Sequence, residues 1–399
     1  MSDSALMAVY NRAPLTVSHG QGAWLYDTEG RAYLDCVAGI ATDALGHAHP
    51  ALVAALTEQA GKLWHVSNIF RIPGQEGLAQ RLTNATFADV VFFGNSGSEA
   101  IECAIKTARR FHHANGQPER IDVIGFAGSF HGRTYAAINA SGNPSYLEGF
   151  GPRLPGYVQL SLDDEAGIAE TLARPTTAAL IVEPVQGEGG ARALSEDWLR
   201  RVRDLCTQHG VLLIYDEVQS GMGRTGQLFA HQWFDGVEPD IMAVAKALGG
   251  GFPVGACLAT RDAAKGMVVG VHGSTFGGNP LAMAVAIAAF DAIAKPEMLA
   301  HARTISDLLK GKLEALAESF PDVIVDVRGK GMLIGLKLIP NNRDFMALAR
   351  EHGLLVAGGG ENCVRLLPPL ILNAGEATEA VLRLEAACRT ARTRLARAA

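Results

Sequence analysis

Between residues 50 and 290, short apolar runs alternate with longer segments whose apolar positions recur every three or four residues. The runs at 90–93, 123–126, 179–182, 211–215, 241–245 and 256–259 contain no polar residue. Such runs predict strands buried on both faces. The helical segments between them predict a largely parallel sheet flanked by helices. In GNSGSEAIECAIKTARRF (94–111), Ile101, Ala104, Ile105, Ala108 and Phe111 share one helical face, and Ser96 with Glu99 predicts a capping box. Earlier, GAWLYD and AYLDCV joined by TEGR predict a hairpin. Beyond Pro296 a helix, VIVDVRGKGMLIGLKL, a second helix, a strand and a last helix predict a smaller α+β domain. The expected division is an N-terminal segment packing with the small domain (1–45), a large domain (46–290) and the small C-terminal domain (291–399).

With 399 residues and 48 % hydrophobic content, the chain can bury a large core. Its formal charge of -6 and lack of a long basic cluster argue against nucleic acid as a partner. Arg389, Arg392, Arg394 and Arg397 read as solvated positions of the terminal helix. Six scattered cysteines without a CxxC pair fit a reducing compartment rather than a disulfide framework. The start, MSDSALMAVYNRAP, lacks the pattern of a signal peptide. The apolar stretch 281–290, stopped by Asp291, is too short to span a bilayer. A soluble cytoplasmic protein with no membrane partner is expected.

Unusual residues follow the strands: GNSGSE, AGSFHGR, EPVQGE, DEVQ and KALGGG. Ligands bind at the carboxyl edge of open α/β sheets, so five loaded ends point to one site. A helix start with Gly97 and the Ser98 hydroxyl suits phosphate, although a well-capped helix needs no ligand. Phe130 suits stacking on a flat ring and Arg133 suits a carboxylate. A tucked phenylalanine and a surface arginine are the ordinary alternatives. Asp216 ends a buried strand, where a carboxylate needs a protonated ring nitrogen, a metal or an arginine. No further carboxylates stand at ligand spacing, so no metal is expected.

Lys246 also ends an apolar run, where its charge must be paired or removed. Gly249, Gly250 and Gly251 behind it leave room for a ligand and for the lysine to swing. A snorkelling surface lysine is the alternative. GMGRTG (221–226) matches GxGxxG but opens no helix after a strand, so it reads as a flexible loop. It keeps a nicotinamide-dependent oxidoreductase open as a different class of function. GHAHP (46–50) reads as turn histidines. HGSTFGGNP (272–280) places Ser274 and Thr275 before a helix opened by Pro280.

A phosphate cradle, a stacking aromatic, an acid and a desolvated lysine together fit pyridoxal 5'-phosphate. The lysine forms an imine with the aldehyde and the carboxylate keeps the ring nitrogen protonated. Burial lowers the lysine's pKa toward that of a working base. NSGSEA, SFHGRT, EPVQGEGG, DEVQSGMGRTG, AKALGGGFPVG and HGSTFGGNP as a set resemble class III pyridoxal-phosphate-dependent aminotransferases. ALGHAHPALVAAL, LWHVSNIF and RDLCTQHGVLLIYDEVQ are similar to the bacterial acetylornithine subgroup. The resemblance runs from about residue 10 to the C-terminus, in the family's order.

The resemblance implies fold-type I and a homodimer with active sites at the subunit interface. It makes Lys246 the catalytic Schiff-base lysine and Asp216 the partner of the pyridine nitrogen. Val218 lies against the ring and Gln219 near its hydroxyl. Gly97 and Ser98 match the phosphate turn, with serine where the family usually has threonine. Phe130 matches the stacking aromatic, and Thr275 a phosphate ligand crossing from the partner subunit. Ser274 matches a substrate contact, Arg133 the residue for the α-carboxylate and Arg365 that for 2-oxoglutarate. Glu188, or Glu183, matches the acid that shields Arg365 from the diamine substrate. Tyr10, Ile69 and Phe70 are candidate wall residues. The implied reaction is N-acetylornithine plus 2-oxoglutarate giving N-acetylglutamate semialdehyde plus glutamate. Ornithine, succinylornithine, N-succinyl-diaminopimelate and 4-aminobutyrate stand as alternative amine donors. A non-catalytic binding protein leaves Lys246 and Asp216 without a role.

Overall fold

The computed structural model describes residues 5–398, with side chains through Ala396. Residues 1–4 of the N-terminal segment and the side chain of Arg397 lie outside it. Its centre is a seven-stranded sheet: β1 (Val90–Gly94), β2 (Asp122–Phe126), β3 (Tyr157–Leu160), β4 (Thr177–Val182), β5 (Leu212–Asp216), β6 (Ile241–Val244) and β7 (Gly255–Ala259). The order across the sheet is β1-β7-β6-β5-β4-β2-β3. Only β7 runs against the rest, antiparallel to both β6 and β1. The ends of β1, β2, β4, β5 and β6 therefore share one edge, as their chemistry required.

The apolar runs are uninterrupted because both faces of the sheet are covered. Ile124, Leu180, Val182, Leu213, Tyr215, Met242 and Val244 enter one core. Their alternates Val123, Ala179, Ile181, Leu212, Ile214, Ile241 and Ala243 enter a second core, with Ala100, Ile101, Ala104, Ile105 and Ala108 of α1 (Gly97–Ala114). Residues of opposite parity thus face opposite helical layers, as the strand's period of two dictates. Ser96 caps α1 by accepting from Glu99 N at 3.3 Å. The reciprocal arm differs from a capping box: the Glu99 carboxylate accepts from Asn95 N, one residue before the cap.

The small antiparallel sheet has the order β8-β9-β11-β10, from β8 (Ile324–Lys330), β9 (Leu333–Leu338), β10 (Ala357–Gly359) and β11 (Cys363–Leu366). The N-terminal hairpin pairs Trp24–Asp27 with Ala32–Asp35. It is extended by Leu354–Leu355, parallel to Ala32–Asp35. The expected junction at 290/291 falls inside α2 (Pro280–Ile293), which continues to its C-cap at Ala294.

Three local readings need correction. GMGRTG is buried: Arg224 donates to the carbonyls of Met332 and Pro368, which ties this turn to the small sheet. It is neither flexible nor a dinucleotide turn, and the oxidoreductase alternative loses its support. The glycines after Lys246 serve close packing more than open space. A Cβ on Gly249 would sit 1.9 Å from Phe252 O, and Gly250 and Gly251 take φ of +55° and +110°. Glycine alone accepts such positions without strain. His47 is more than a turn histidine: its Nε2 meets the Asp35 carboxylate at 2.8 Å.

Candidate active site

Lys246 follows β6 in the connection to β7 and has φ of +46°, an uncommon left-handed conformation for a side chain of this size. Such strain persists where the surroundings enforce it. Here Leu248 N bonds back to Ala245 O and Gly249 N to Lys246 O, closing a tight turn. The amine stands on the wall of a cavity of ≈ 350 Å³ at the carboxyl edge of the sheet. No hydrogen bond or ion pair holds it among the described residues. Desolvation pushes its pKa down to about 8.

Opposite strand ends complete the wall. Asp216 is buried and held at both oxygens: Oδ1 accepts from Val218 N at 3.0 Å and Oδ2 meets His131 Nδ1 at 2.8 Å, which leaves acceptor sites open. His131 is itself buried, and its Nε2 has no partner among the described residues. Burial opposes its protonation, but the hydrogen bond and charge of Asp216 prevail and raise its pKa. Glu183, also buried, accepts from Phe130 N at 2.8 Å. Burial raises its pKa, reinforced by the charge of Asp216. Glu217, by contrast, serves the fold, accepting from Ala230 N at 2.6 Å and His231 N at 2.9 Å.

The first turn of α1 enters the same cavity with Asn95, Ser96, Gly97 and Ser98. The glycines there are tight: a Cβ on Gly97 would come 2.7 Å from Val218, and one on Gly132 would come 2.3 Å from Ser98 Oγ. Free amides at a helix N-terminus, close to a hydroxyl, form an anion cradle. Phe130, Val218, Gln219 and Glu188 line the remaining wall, with Thr42 at the other side.

Arg365 lies just behind. Its guanidinium donates to Gly358 O at 2.9 Å from Nε, to Gln219 Oε1 at 3.2 Å and to Glu188 Oε1 at 2.6 Å. Gln219 thus contacts Arg365 through its amide oxygen, and Glu188 is the acid that covers this arginine. Glu183 does not, because Phe130 N and Gly187 N hold it beside Asp216. Arg133 is exposed and lies over the rings of Phe130 and Tyr146, 4.7 and 3.7 Å from their centroids. It has no acidic partner among the described residues.

Other expected residues stay outside the cavity of their own chain. Ser274 Oγ accepts from Gly277 N at 2.9 Å and from the cavity residue Asn95 at 3.3 Å. Thr275, Tyr10, Ile69 and Phe70 are exposed. His131 had no assigned role; its place after a strand end, beside Phe130, was the available signal.

The donor set fits a phosphorylated pyridine aldehyde. An unpaired amine, an anion cradle, an aromatic face and an oriented buried carboxylate converge on one cavity of suitable size. The Aminotransferase class-III family model matches residues 6–388. The chain belongs to this family. It is 68 % identical over 395 residues to Acetylornithine aminotransferase 2 of Caulobacter vibrioides, covering 99 % of this chain and 98 % of that one. The crystal structure of N-acetylornithine aminotransferase from Stenotrophomonas maltophilia matches with a TM-score of 0.84 at 39 % identity, covering 96 % and 98 %. A Toxoplasma gondii ornithine aminotransferase structure, described with partial occupancy of PLP at its active site, matches with a TM-score of 0.92 at 31 % identity, covering 97 % and 93 %. The chain is accordingly an aminotransferase acting on small molecules. Among the described residues, no helix is long and apolar enough to cross a membrane.

Proposed function

We propose that this aminotransferase uses pyridoxal 5'-phosphate to move the terminal amino group of N2-acetyl-L-ornithine to 2-oxoglutarate. The products are N-acetyl-L-glutamate 5-semialdehyde and L-glutamate, a step of arginine biosynthesis in the cytoplasm. The observation that carries this reading is the Arg365–Glu188 ion pair, 2.6 Å long, at the cavity wall. A terminal amine brings no carboxylate beside its reacting carbon. Arg365 would then be a buried unpaired cation, at a cost of about 3–5 kcal/mol. Glu188 removes that cost. When 2-oxoglutarate binds, its carboxylate replaces Glu188. The acid is the mobile partner, since its side chain is 34 % exposed and that of Arg365 only 2 %.

Pyridoxal phosphate, when bound, supplies an electron sink and a carrier for the amino group. Gly97 and Ser98 would hold its phosphate, Phe130 and Val218 would flank its ring, and Asp216 would pair its ring nitrogen. His131 and Val218 N fix the orientation of Asp216. Gln219, on the cavity wall, would border the ring hydroxyl. Lys246 Nζ, its pKa lowered by desolvation to about 8, takes a proton from the substrate carbon in its neutral form and returns one. Arg133, unpaired over its two aromatic rings, takes the distal carboxylate.

The relatives' names support the donor, and the exposed apolar side chains of Ile69, Phe70, Val268, Val269, Val271 and Phe276 support a homodimer. In that dimer Thr275 serves the partner's phosphate and Ser274 its substrate. Tyr10, Ile69 and Phe70 wall the shared pocket. The chain divides into the N-terminal segment, the large domain and the small domain, with the second junction at 294–295.

A donor panel with 2-oxoglutarate tests the reading. N-acetylornithine should give a higher kcat/KM than ornithine, N-succinyl-diaminopimelate or 4-aminobutyrate; a lower value for it discards this assignment. Glu188→Gln should slow the half-reaction with N-acetylornithine more than that with glutamate. Equal slowing of both rules out the exchange at Arg365.

A further inference from the structure

A second cavity, of ≈ 380 Å³, lies beyond the wall of the active site. Among the described residues, Glu188 is the one that lines both cavities. Gln186, Arg192, Tyr146 and Glu361 also line the second. The chain reverses here in a short hairpin. Val185–Gln186 pairs with Arg192–Ala193, and Gln186 stands opposite Arg192. The turn between them closes through Gly190 N and Ala191 N, which both donate to Gly187 O. It returns Arg192 to the cavity that Glu188 borders four residues earlier.

The backbone of this hairpin is fixed. Glu188 O accepts from Gly360 N at 2.7 Å, and Gly190 O accepts from Arg328 Nε at 2.6 Å. Gly190 has φ of +95°, and a Cβ there would come 2.4 Å from Arg328 Nη2. Movement at the wall therefore falls to the Glu188 side chain.

Arg192 is a cation with spare donors. Its guanidinium makes no hydrogen bond among the described residues. Its acidic neighbours stand off, Glu361 Oε1 at 3.6 Å from Nη1 and Asp163 Oδ2 at 3.9 Å from Nη2. Glu361 is already paired, its Oε2 lying 2.8 Å from Arg328 Nη1. Its charge is thus opposed, and it leaves room at Arg192 for another carboxylate.

A substrate carboxylate that takes Arg365 puts two like charges in one site. The Glu188 carboxylate then has to leave. We propose that Arg192 receives it: the Glu188 side chain swings from Arg365 in the active site to Arg192 in the second cavity, and returns when the dicarboxylate departs. Arg192 is then a positioning residue that sets specificity. It favours glutamate and 2-oxoglutarate, and it is idle with N-acetylornithine, which leaves Glu188 on Arg365. This inference rests on the exchange at Arg365 proposed above and adds where the acid goes. The side chains of Glu188 and Arg192 are 34 % and 35 % exposed, so water screens the new pair and its effect is modest.

The two half-reactions of the holoenzyme are followed separately by stopped-flow absorbance of the cofactor. In Arg192→Ala the glutamate concentration that gives half the maximal rate should rise about two- to fivefold. The maximal rate and the half-reaction with N-acetylornithine should stay unchanged. Arg192→Lys, which keeps the charge, should restore most of the loss. In a Glu188→Gln background Arg192→Ala should add nothing, because a neutral amide brings no charge to receive. No change with glutamate, equal weakening of both half-reactions, or a full effect persisting in the Glu188→Gln background would each overturn the proposal. Glu188→Gln alone separates the inference from its premise. If it slows both half-reactions equally, the exchange fails and Arg192 has nothing to receive. If it distinguishes them while Arg192→Ala does not, the exchange stands and Arg192 is not the receiver.

Discussion

Lys246 and Asp216 could be found from single positions, because a charge at the end of a buried run is costly enough to stand out. The Asp216–His131 bond could not, since its partners are 85 residues apart and only the sheet order joins β2 and β5 to one edge. His131→Ala removes the donor to a buried carboxylate. A hydrogen bond to a charged group is worth about 1.5–3 kcal/mol, so kcat should fall about ten- to hundredfold. The cofactor absorbance should change its pH dependence in this variant, which a merely structural role for His131 would not cause. Lys246 yields a second test. Below a pKa of about 8 its amine is protonated and cannot attack a carbonyl. The rate at which apoenzyme binds cofactor covalently should therefore rise with pH up to about 8 and level off above it. Stopped-flow absorbance would show this; a rate that keeps climbing toward pH 10 would mean that the amine is not desolvated.

At the scale of elements, apolar runs located six of the seven strands of the central sheet to within a residue or two, and missed β3, a half-buried edge strand whose YVQL forms no apolar run. They did not reveal that β7 is reversed, since an apolar run carries no direction. That reversal matters. It brings Gly255 opposite Gly94 of β1 and packs both against the start of α1. Gly255→Ala would press a Cβ on the Ser96 carbonyl, which belongs to backbone and cannot rotate away. Overpacking of this kind costs about 1–3 kcal/mol, and here the same shift disturbs the phosphate turn. Tm and cofactor retention should fall together. Gly311 is the contrast: it is exposed within the helix Pro296–Ser319, and a methyl group added there would meet nothing within 4 Å. Gly311→Ala should raise stability by roughly 0.5–1 kcal/mol through helix propensity alone. If both variants melt alike, the glycine at 255 is not held by packing.

For the whole molecule, the least legible residues are those that the proposed dimer would place at a neighbour's site. Thr275 and Ser274 came from resemblance, and in one protomer Thr275 is exposed and outside the cavity. The loop that carries it is held from below: Asn68 Nδ2 donates to Ser274 O and Gly277 O, both at 3.0 Å. The ring of Phe276 meets His65 at 5.1 Å. A loop braced this way, with apolar side chains left in solvent, has the form of an interface. If Thr275 completes the partner's site, the two functions can be separated on different chains. A Lys246→Ala protomer has no reactive amine but offers an intact Thr275. A Thr275→Ala protomer has the amine but offers nothing to its neighbour. In a twofold dimer of the two, one site loses both residues and the other keeps both. Mixed, dissociated and reassociated in equal amounts, half the dimers should be hybrid, with one intact site each. Assayed at limiting cofactor, where loss of a phosphate ligand tells, activity should exceed the sum of the separate variants and approach about a quarter of wild type. If Thr275 instead serves its own chain, every site in the mixture lacks one residue or the other, and no activity beyond that sum can appear.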